Sequence, residues 1–190
     1  AGNYGPDHYS VGSPGAAESA ITVGCVNNRD VLRLASSRGP TLDGRVKPDC
    51  VAPGERILAP RAQGTHSCDI YSNHYGFVDL TSVAAPHVTG IYALLKQAFP
   101  QASPTLIKRA ILESCDPAYM PIISKIAAMR TEFWYRLKAS LKRLFTRKKF
   151  DDIYSLGHGR VNAYQAFLKL KELMKVNGKE KVLASKSSVA

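Results

Sequence analysis

The sequence predicts an α/β layered domain, and three observations carry that reading. Short β-branched runs separated by turn residues fill roughly the first eighty positions. A long, almost uncharged stretch of helical length then begins abruptly at Ser82. Further helical segments with recognisable start signals follow it, and strand pieces succeeded by helices, one of them buried, are the pattern of packed α/β layers. At 190 residues and 45% hydrophobic content the chain is large enough to enclose one sizeable core.

Taken in order, the chain opens on Ala1-Gly2-Asn3-Tyr4-Gly5, which reads as a strand end entering a turn. Natural domains seldom start there, so an N-terminal part of a parent protein is expected upstream. Residues 19–26 form a compact strand-like run closed by Asn27-Asn28. Ser36-Ser37-Arg38-Gly39-Pro40 and Leu42-Asp43-Gly44-Arg45 are turn chemistry. Residues 47–52 and 57–59 are strand pieces split by Pro53-Gly54, and residues 76–80 make a short strand leading into Thr81-Ser82.

Residues 82–98 carry no charge before Lys96, and a helix apolar on all sides is expected to be buried. Pro86 is expected in its first turn, where a missing N–H costs little. Gly90 costs about 1 kcal/mol relative to alanine, which implies a close neighbour there. Ser103-Pro104 supplies an N-cap and a first-turn proline for a second helix reaching about Ser114. Asn162 starts another through about Lys175, and the lysine-rich segment after Gly178 is expected to be mobile.

The net charge of +11 is concentrated: residues 121–150 hold nine Lys and Arg against Glu132 alone. Ile122, Ile126, Phe133, Leu137, Leu141 and Leu144 fall near one face of that segment, as in an amphipathic helix. It is expected to pack on the domain or, through Phe133, Trp134 and Phe145 with flanking cations, to meet an anionic membrane surface or an acidic protein. Nucleic acid is disfavoured as a partner, because the segment matches no nucleic-acid-binding module. No apolar run approaches the ~18 residues of a membrane span. Cys25, Cys50, Cys68 and Cys115 show no metal-type spacing. Cys25 and Cys50 read as small buried hydrophobes, with a disulfide between neighbouring parallel strands as the alternative.

Thr81-Ser82 stands where a strand hands over to a helix, a junction that exposes a hydroxyl beside free N–H groups. Such a serine is ordinarily an N-cap. Its surroundings argue for more. Thr81-Ser82-Val83-Ala84-Ala85-Pro86-His87-Val88-Thr89-Gly90 resembles the nucleophile motif of subtilisin-like serine peptidases, Gly-Thr-Ser-Met-Ala-(Ala/Ser)-Pro-His-Val-(Ala/Thr)-Gly. Ala1-Gly2-Asn3 resembles the stretch that delivers the family's oxyanion asparagine, and Ser19-Ala20-Ile21-Thr22-Val23-Gly24 the strand after it. Ser36-Ser37-Arg38-Gly39-Pro40, Lys47-Pro48-Asp49, Val51-Ala52-Pro53-Gly54 and the closing Gly157-His158-Gly159-Arg160-Val161-Asn162-Ala163-Tyr164 match further landmarks in order.

The resemblance implies a three-layer domain with a mainly parallel sheet, subtilisin-like and incomplete at the N-terminus. Its parts would be residues 1–116 as the C-terminal half of a catalytic domain, a basic insertion at 117–153, a closing segment at 154–176 and a flexible tail at 177–190. It implies a serine endopeptidase acting through an acyl-enzyme on Ser82, with Asn3 and the Ser82 N–H as oxyanion donors, Gly2 beside the substrate, and a protein or peptide as substrate. The triad aspartate and histidine would lie upstream of Ala1, in a missing N-terminal half of the domain. His66 in Gly64-Thr65-His66 stands at the wrong place for the base, since Gln63 occupies that position, and His87 matches a packing residue. Leu80 departs from the pattern, standing where the family has glycine, and is expected to narrow the cleft or displace Ser82. An inactive scaffold that binds through the basic helix is the alternative. No cofactor is identified; calcium is implied by the resemblance only, as is an extracellular or cell-envelope location.

Overall fold

The computed structural model describes residues 1–65, 69–120 and 153–187, with the side chains of its last helix as far as residue 176. The basic amphipathic segment, His66 and Cys68 lie outside the described residues.

The core is built on two parallel strands, β1 (Val23–Val26) and β2 (Cys50–Pro53), paired from Val23 opposite Cys50 to Val26 opposite Pro53. Alternating side chains leave a strand on opposite faces, and both faces here are covered. Val23, Cys25, Cys50 and Ala52 enter the larger cluster, under the helices. Val26 and Val51 enter a smaller one with Leu32 and Leu156. The sheet continues past β2: Val51 exchanges backbone hydrogen bonds with Gly159 (2.9 Å) and Val161 (3.0 Å), and Arg160 in turn exchanges them with Asp116.

A second, antiparallel sheet of β3 (Ile57–Pro60), β4 (Asp69–Ile70) and β5 (Tyr75–Val78) runs in the order β3-β5-β4. Turn residues around 71–74 hide β4 in the sequence, because two residues carry no periodicity. β5 leads through Asp79 and Leu80 into α1 (Thr81–Ala98). Three further helices follow among the described residues: α2 (Pro104–Glu113), α3 (Ile153–Leu156) and α4 (Ala163–Ser187). Ser103 caps α2 as its sequence demands, its Oγ accepting the Leu106 N–H at 3.2 Å. Ile107, Ala110 and Ile111 of α2 and Leu170 of α4 are fully or almost fully buried in the larger cluster. Each large aliphatic side chain contributes about 1.5–3 kcal/mol by leaving water.

Several expectations need correction. The helix beginning after Asn162 does not stop near Lys175; α4 runs to Ser187, through the lysine-rich segment after Gly178. Lysine and glutamate are good helix formers, and their polarity says nothing against helix once a turn is nucleated. Cys25 and Cys50, in contrast, are buried as the sequence reading has them, and they and Cys115 are free, which removes the disulfide alternative. The strand register sets Cys25 opposite Ala52 and Cys50 opposite Val23, so the two strand cysteines do not face each other across the ladder. Finally, the described residues do not enclose α1 on all sides. Only Thr81, Ala84, Val88 and Leu95 of it are buried. Leu94 is 62% exposed, and a Cβ added at Gly90 would meet nothing within 4 Å. Its apolar composition exceeds what the described residues cover.

Candidate active site

The carboxyl ends of β1 and β2 and the start of α1 converge, in the kind of crevice where open α/β sheets hold their ligands. Two backbone hydrogen bonds stitch them together: the Gly54 N–H donates to Val26 O (3.0 Å) and the Leu80 N–H donates to Gly54 O (2.8 Å). Gly54 is required there. A Cβ on it would lie 2.8 Å from both Leu80 O and Cys25 Sγ and 3.0 Å from Ala84 Cβ, so only glycine lets the helix start lie this close to the sheet.

Asn3 reaches the same place from the chain start. The Ala1 amine donates to Val23 O at 2.9 Å, which lays the first residues along the edge of β1 away from β2. Gly2 then adopts φ +108°, and a Cβ on it would come within 2.8 Å of Ser37 Oγ. Ser37 holds the loop twice, its N–H donating to Gly2 O (3.0 Å) and its Oγ accepting the Tyr4 N–H (3.0 Å). Neighbouring Ser36 accepts the Cys25 N–H at 3.1 Å. Both serines are fully buried. The sequence shows them only as turn residues; hydroxyls that bond locally in turns can equally tie distant backbone, and nothing in the local pattern separates the two.

Asn3 Oδ1 accepts the Thr81 N–H at 3.0 Å, across a separation of 78 residues. Because a backbone N–H can only donate, the atom facing it must be the amide oxygen, and the Asn3 NH2 is left to donate elsewhere. The next N–H along, that of Ser82, has no hydrogen-bond partner among the described residues. Those of Val83 and Ala84 are absorbed by Leu80 O, at 3.1 and 3.4 Å. The site therefore offers an amide NH2 on Asn3, a backbone N–H at a helix N-terminus and the exposed hydroxyl of Ser82. Two donors beside a hydroxyl suit a negative charge developing on a carbonyl oxygen under attack. Thr81, between Asn3 and Ser82 in this arrangement, is buried, with its hydroxyl 3.4 Å from Gly2 O. Of the sequence-predicted residues, then, Gly2, Asn3 and Ser82 come to one locality, while the Thr81 N–H and Ser37, which hold Asn3 and its loop in place, went unrecognised.

Pro86 falls one turn deeper than expected, because α1 begins at Thr81. Lacking an N–H, it leaves the Ser82 carbonyl without its intrahelical donor. Leu80 raises no backbone conflict: its φ of 167° is extended backbone open to any residue. Nor does it bury Ser82, which remains exposed.

The described histidines stand elsewhere. His8 is buried with Nδ1 2.6 Å from Gly39 O and its ring edge-on to Tyr154. His87 Nδ1 lies 3.1 Å from Val83 O in its own helix, and the His158 N–H donates to Asp49 O. His74 is exposed beyond the second sheet. None bonds Ser82 among the described residues. Nor do those residues gather three metal-ligating side chains at one point. Asp49 is engaged by Lys47 and the Thr22 N–H, and Asp116 by Arg160 and Asn162. These donor sets do not fit a calcium ion, which needs six to eight oxygens. Below the site, burial pushes the Cys25 thiol up to about 11, so it stays protonated and plays no nucleophilic part near neutral pH.

The model of the Subtilase family matches residues 1–157. "Serine protease AprX" of Bacillus subtilis is 34% identical over 128 residues, covering 61% of this chain and 29% of that protein. "Pyrolysin" of Pyrococcus furiosus is 37% identical over 145 residues, covering 60% and 10%. Among solved structures, a protease of Pseudoalteromonas arctica superposes with a TM-score of 0.60 at 24% identity, over 90% of this chain and 41% of that one. The Clostridium perfringens CspB protease gives 0.55 at 25% identity, over 86% and 29%. The chain thus spans less than half the length of each of these proteins.

Proposed function

Since the chain belongs to the subtilase family, we propose that it carries the nucleophile and the oxyanion hole of a serine endopeptidase that cleaves protein or peptide substrates. The observation that supports this reading most is the bond from the Thr81 N–H to Asn3 Oδ1, which leaves the amide NH2 available to donate with Ser82 the next residue along. In the proposed reaction Ser82 Oγ attacks the scissile carbonyl carbon and its proton passes to a histidine. The carbonyl oxygen, now negative, is met by the Asn3 NH2 and the Ser82 N–H. Collapse of the tetrahedral adduct expels the amine, which takes that proton, and leaves an acyl ester on Ser82 for water to hydrolyse. The histidine and its aspartate come from residues other than those described, as the family resemblance implies. Gly2, immediately before Asn3, is proposed to meet the substrate backbone.

The test is a fluorophosphonate probe applied to the full-length protein. Ser82 is expected to be labelled and Ser82→Ala to remove the label. An unlabelled full-length protein would end the proteolytic reading. It would favour the other one, a subtilisin-like scaffold used for binding, which draws support from Leu80 standing where the family pattern has glycine. An upstream sequence without the Asp-(Thr/Ser)-Gly and His-Gly-Thr-His signatures would point the same way. No helix among the described residues is long and apolar enough to cross a membrane. From the family resemblance we also infer a location outside the cell or at its envelope. The basic segment at 121–150 is proposed as a contact for an anionic membrane or acidic protein, for which binding of that peptide to anionic vesicles at low salt is the check.

A further inference from the structure

The family pattern has glycine where this chain has Leu80, and the structure shows how that leucine is held. Its backbone has no room to retreat: the N–H is held by Gly54 O, the carbonyl accepts from Val83 and Ala84, and the same carbonyl lies 2.8 Å from where a Gly54 Cβ would stand. Its side chain joins neither core cluster and stays 39% exposed. Exposure alternates through the junction, with Leu80 outward, Thr81 buried and Ser82 outward. Leu80 and Ser82, both exposed among the described residues, thus bracket the buried threonine along the chain. An exposed leucine on a pinned backbone, two residues from a reacting hydroxyl, occupies space that a glycine leaves to the substrate.

We propose that Leu80 is a specificity-determining residue that restricts the residues adjoining the scissile bond to small side chains such as glycine, alanine and serine. The inference rests on the proteolytic reading of Ser82 and adds to it the class of bond cleaved. The leucine does not disable the serine, because its backbone is unstrained and the hydroxyl remains exposed. It acts through volume. A single methylene group in an apolar pocket alters discrimination by about 10–200-fold, and leucine brings a whole branched side chain.

The experiment uses the full-length protein as wild type, Leu80→Gly and Leu80→Ala. Quenched fluorescent peptides identical except at the cleaved bond (Ala-Ala, Phe-Ala and Ala-Phe) are compared by kcat/KM, and a fluorophosphonate titration counts reactive Ser82 in each protein. Wild type is expected to cleave the Ala-Ala peptide at least about tenfold better than one or both bulky peptides. Leu80→Gly should raise kcat/KM for the disfavoured peptide by about tenfold or more while the Ala-Ala value stays within about threefold, with Leu80→Ala intermediate. Should Leu80→Gly fail to fold, as a melting curve will show, Leu80→Ala carries the comparison. Equal ratios among the peptides in all proteins, with full labelling, would overturn the assignment of Leu80 while leaving the peptidase intact. Loss of cleavage of every peptide in both labelled variants would also overturn it, by making Leu80 a residue that positions Ser82. Absence of labelling in every protein would remove the proteolytic reading and this inference together.

Discussion

Changing Asn3 in two different ways separates its structural bond from its chemical one. Asn3→Ala removes both the acceptor for the Thr81 N–H and the amide NH2. The acceptor bond is partly exposed, so its loss costs about 0.5–1.5 kcal/mol of stability, and water can replace it in part. Loss of the donor is costlier to the rate. Removing such a donor lowers kcat by about 10²–10³, or ~2.7–4 kcal/mol, a figure established on subtilisin itself, a member of the same family. Asn3→Asp keeps an oxygen for the Thr81 N–H and adds a negative charge at the N-terminus of α1, which favours it by about 0.3–1 kcal/mol. Its carboxylate has no N–H to offer and opposes the oxyanion, by about 4 kcal/mol at ~4 Å with an effective dielectric near 20. The Asp variant should therefore melt at or above the wild-type temperature and lose at least about a thousandfold in kcat, more than the Ala variant. Thermal melts with kcat and KM on one peptide substrate, in the full-length protein, decide it. An Asp variant within about tenfold of wild-type kcat, or an Ala variant altered only in KM, would refute the role given to the Asn3 amide.

Three other perturbations test the surroundings. Gly90→Ala should stabilise the chain by about 0.5–1 kcal/mol, since α1 gains a better helix former at a position facing open space; a loss in urea unfolding would instead show that something outside the described residues packs on that face. Hydrogen bonds from Arg160 (2.7 Å) and then Asn162 (2.8 Å) hold the Asp116 carboxyl below its ordinary value of 3.8. A depressed carboxyl stabilises the fold above its unfolded value and loses that contribution as pH falls through the folded one. Asp116→Asn should thus be less stable than wild type near neutral pH, with the gap closing below about pH 4, and a gap constant from about pH 6 to pH 2 would refute it. Burial raises the thiols of Cys25 to about 11, Cys115 to about 12 and Cys50 further still. Iodoacetamide at about pH 8 should leave all three unmodified in the folded protein and modify them in urea, as read by peptide mass spectrometry; rapid modification of native Cys25 or Cys50 would contradict their burial.

Much of this protein is written locally. Ser103-Pro104 specifies a capped helix start whatever surrounds it, because cap and proline act on the adjacent turn. The β-branched run at Val23–Val26 and the break at Pro53-Gly54 similarly mark where strands begin and end. The ordered motifs around Asn3 and Ser82 bring the family likeness into view without coordinates. Other features depend on partners far away in the chain. The bond from Thr81 to Asn3 Oδ1 spans 78 residues, and buried Ser36 and Ser37 look like any turn serines until the chain start is laid against them. Composition said that α1 is apolar all round, yet burial belongs to neighbours, and those described cover one side of it. Leu80 makes the same point at the site: the sequence shows that it replaces a glycine, but only the tertiary structure shows its backbone pinned to Gly54 and its side chain left partly exposed. Local propensity acts through bonds within a turn or a strand, whereas exposure and reach are set by packing, which exists only once distant segments have met.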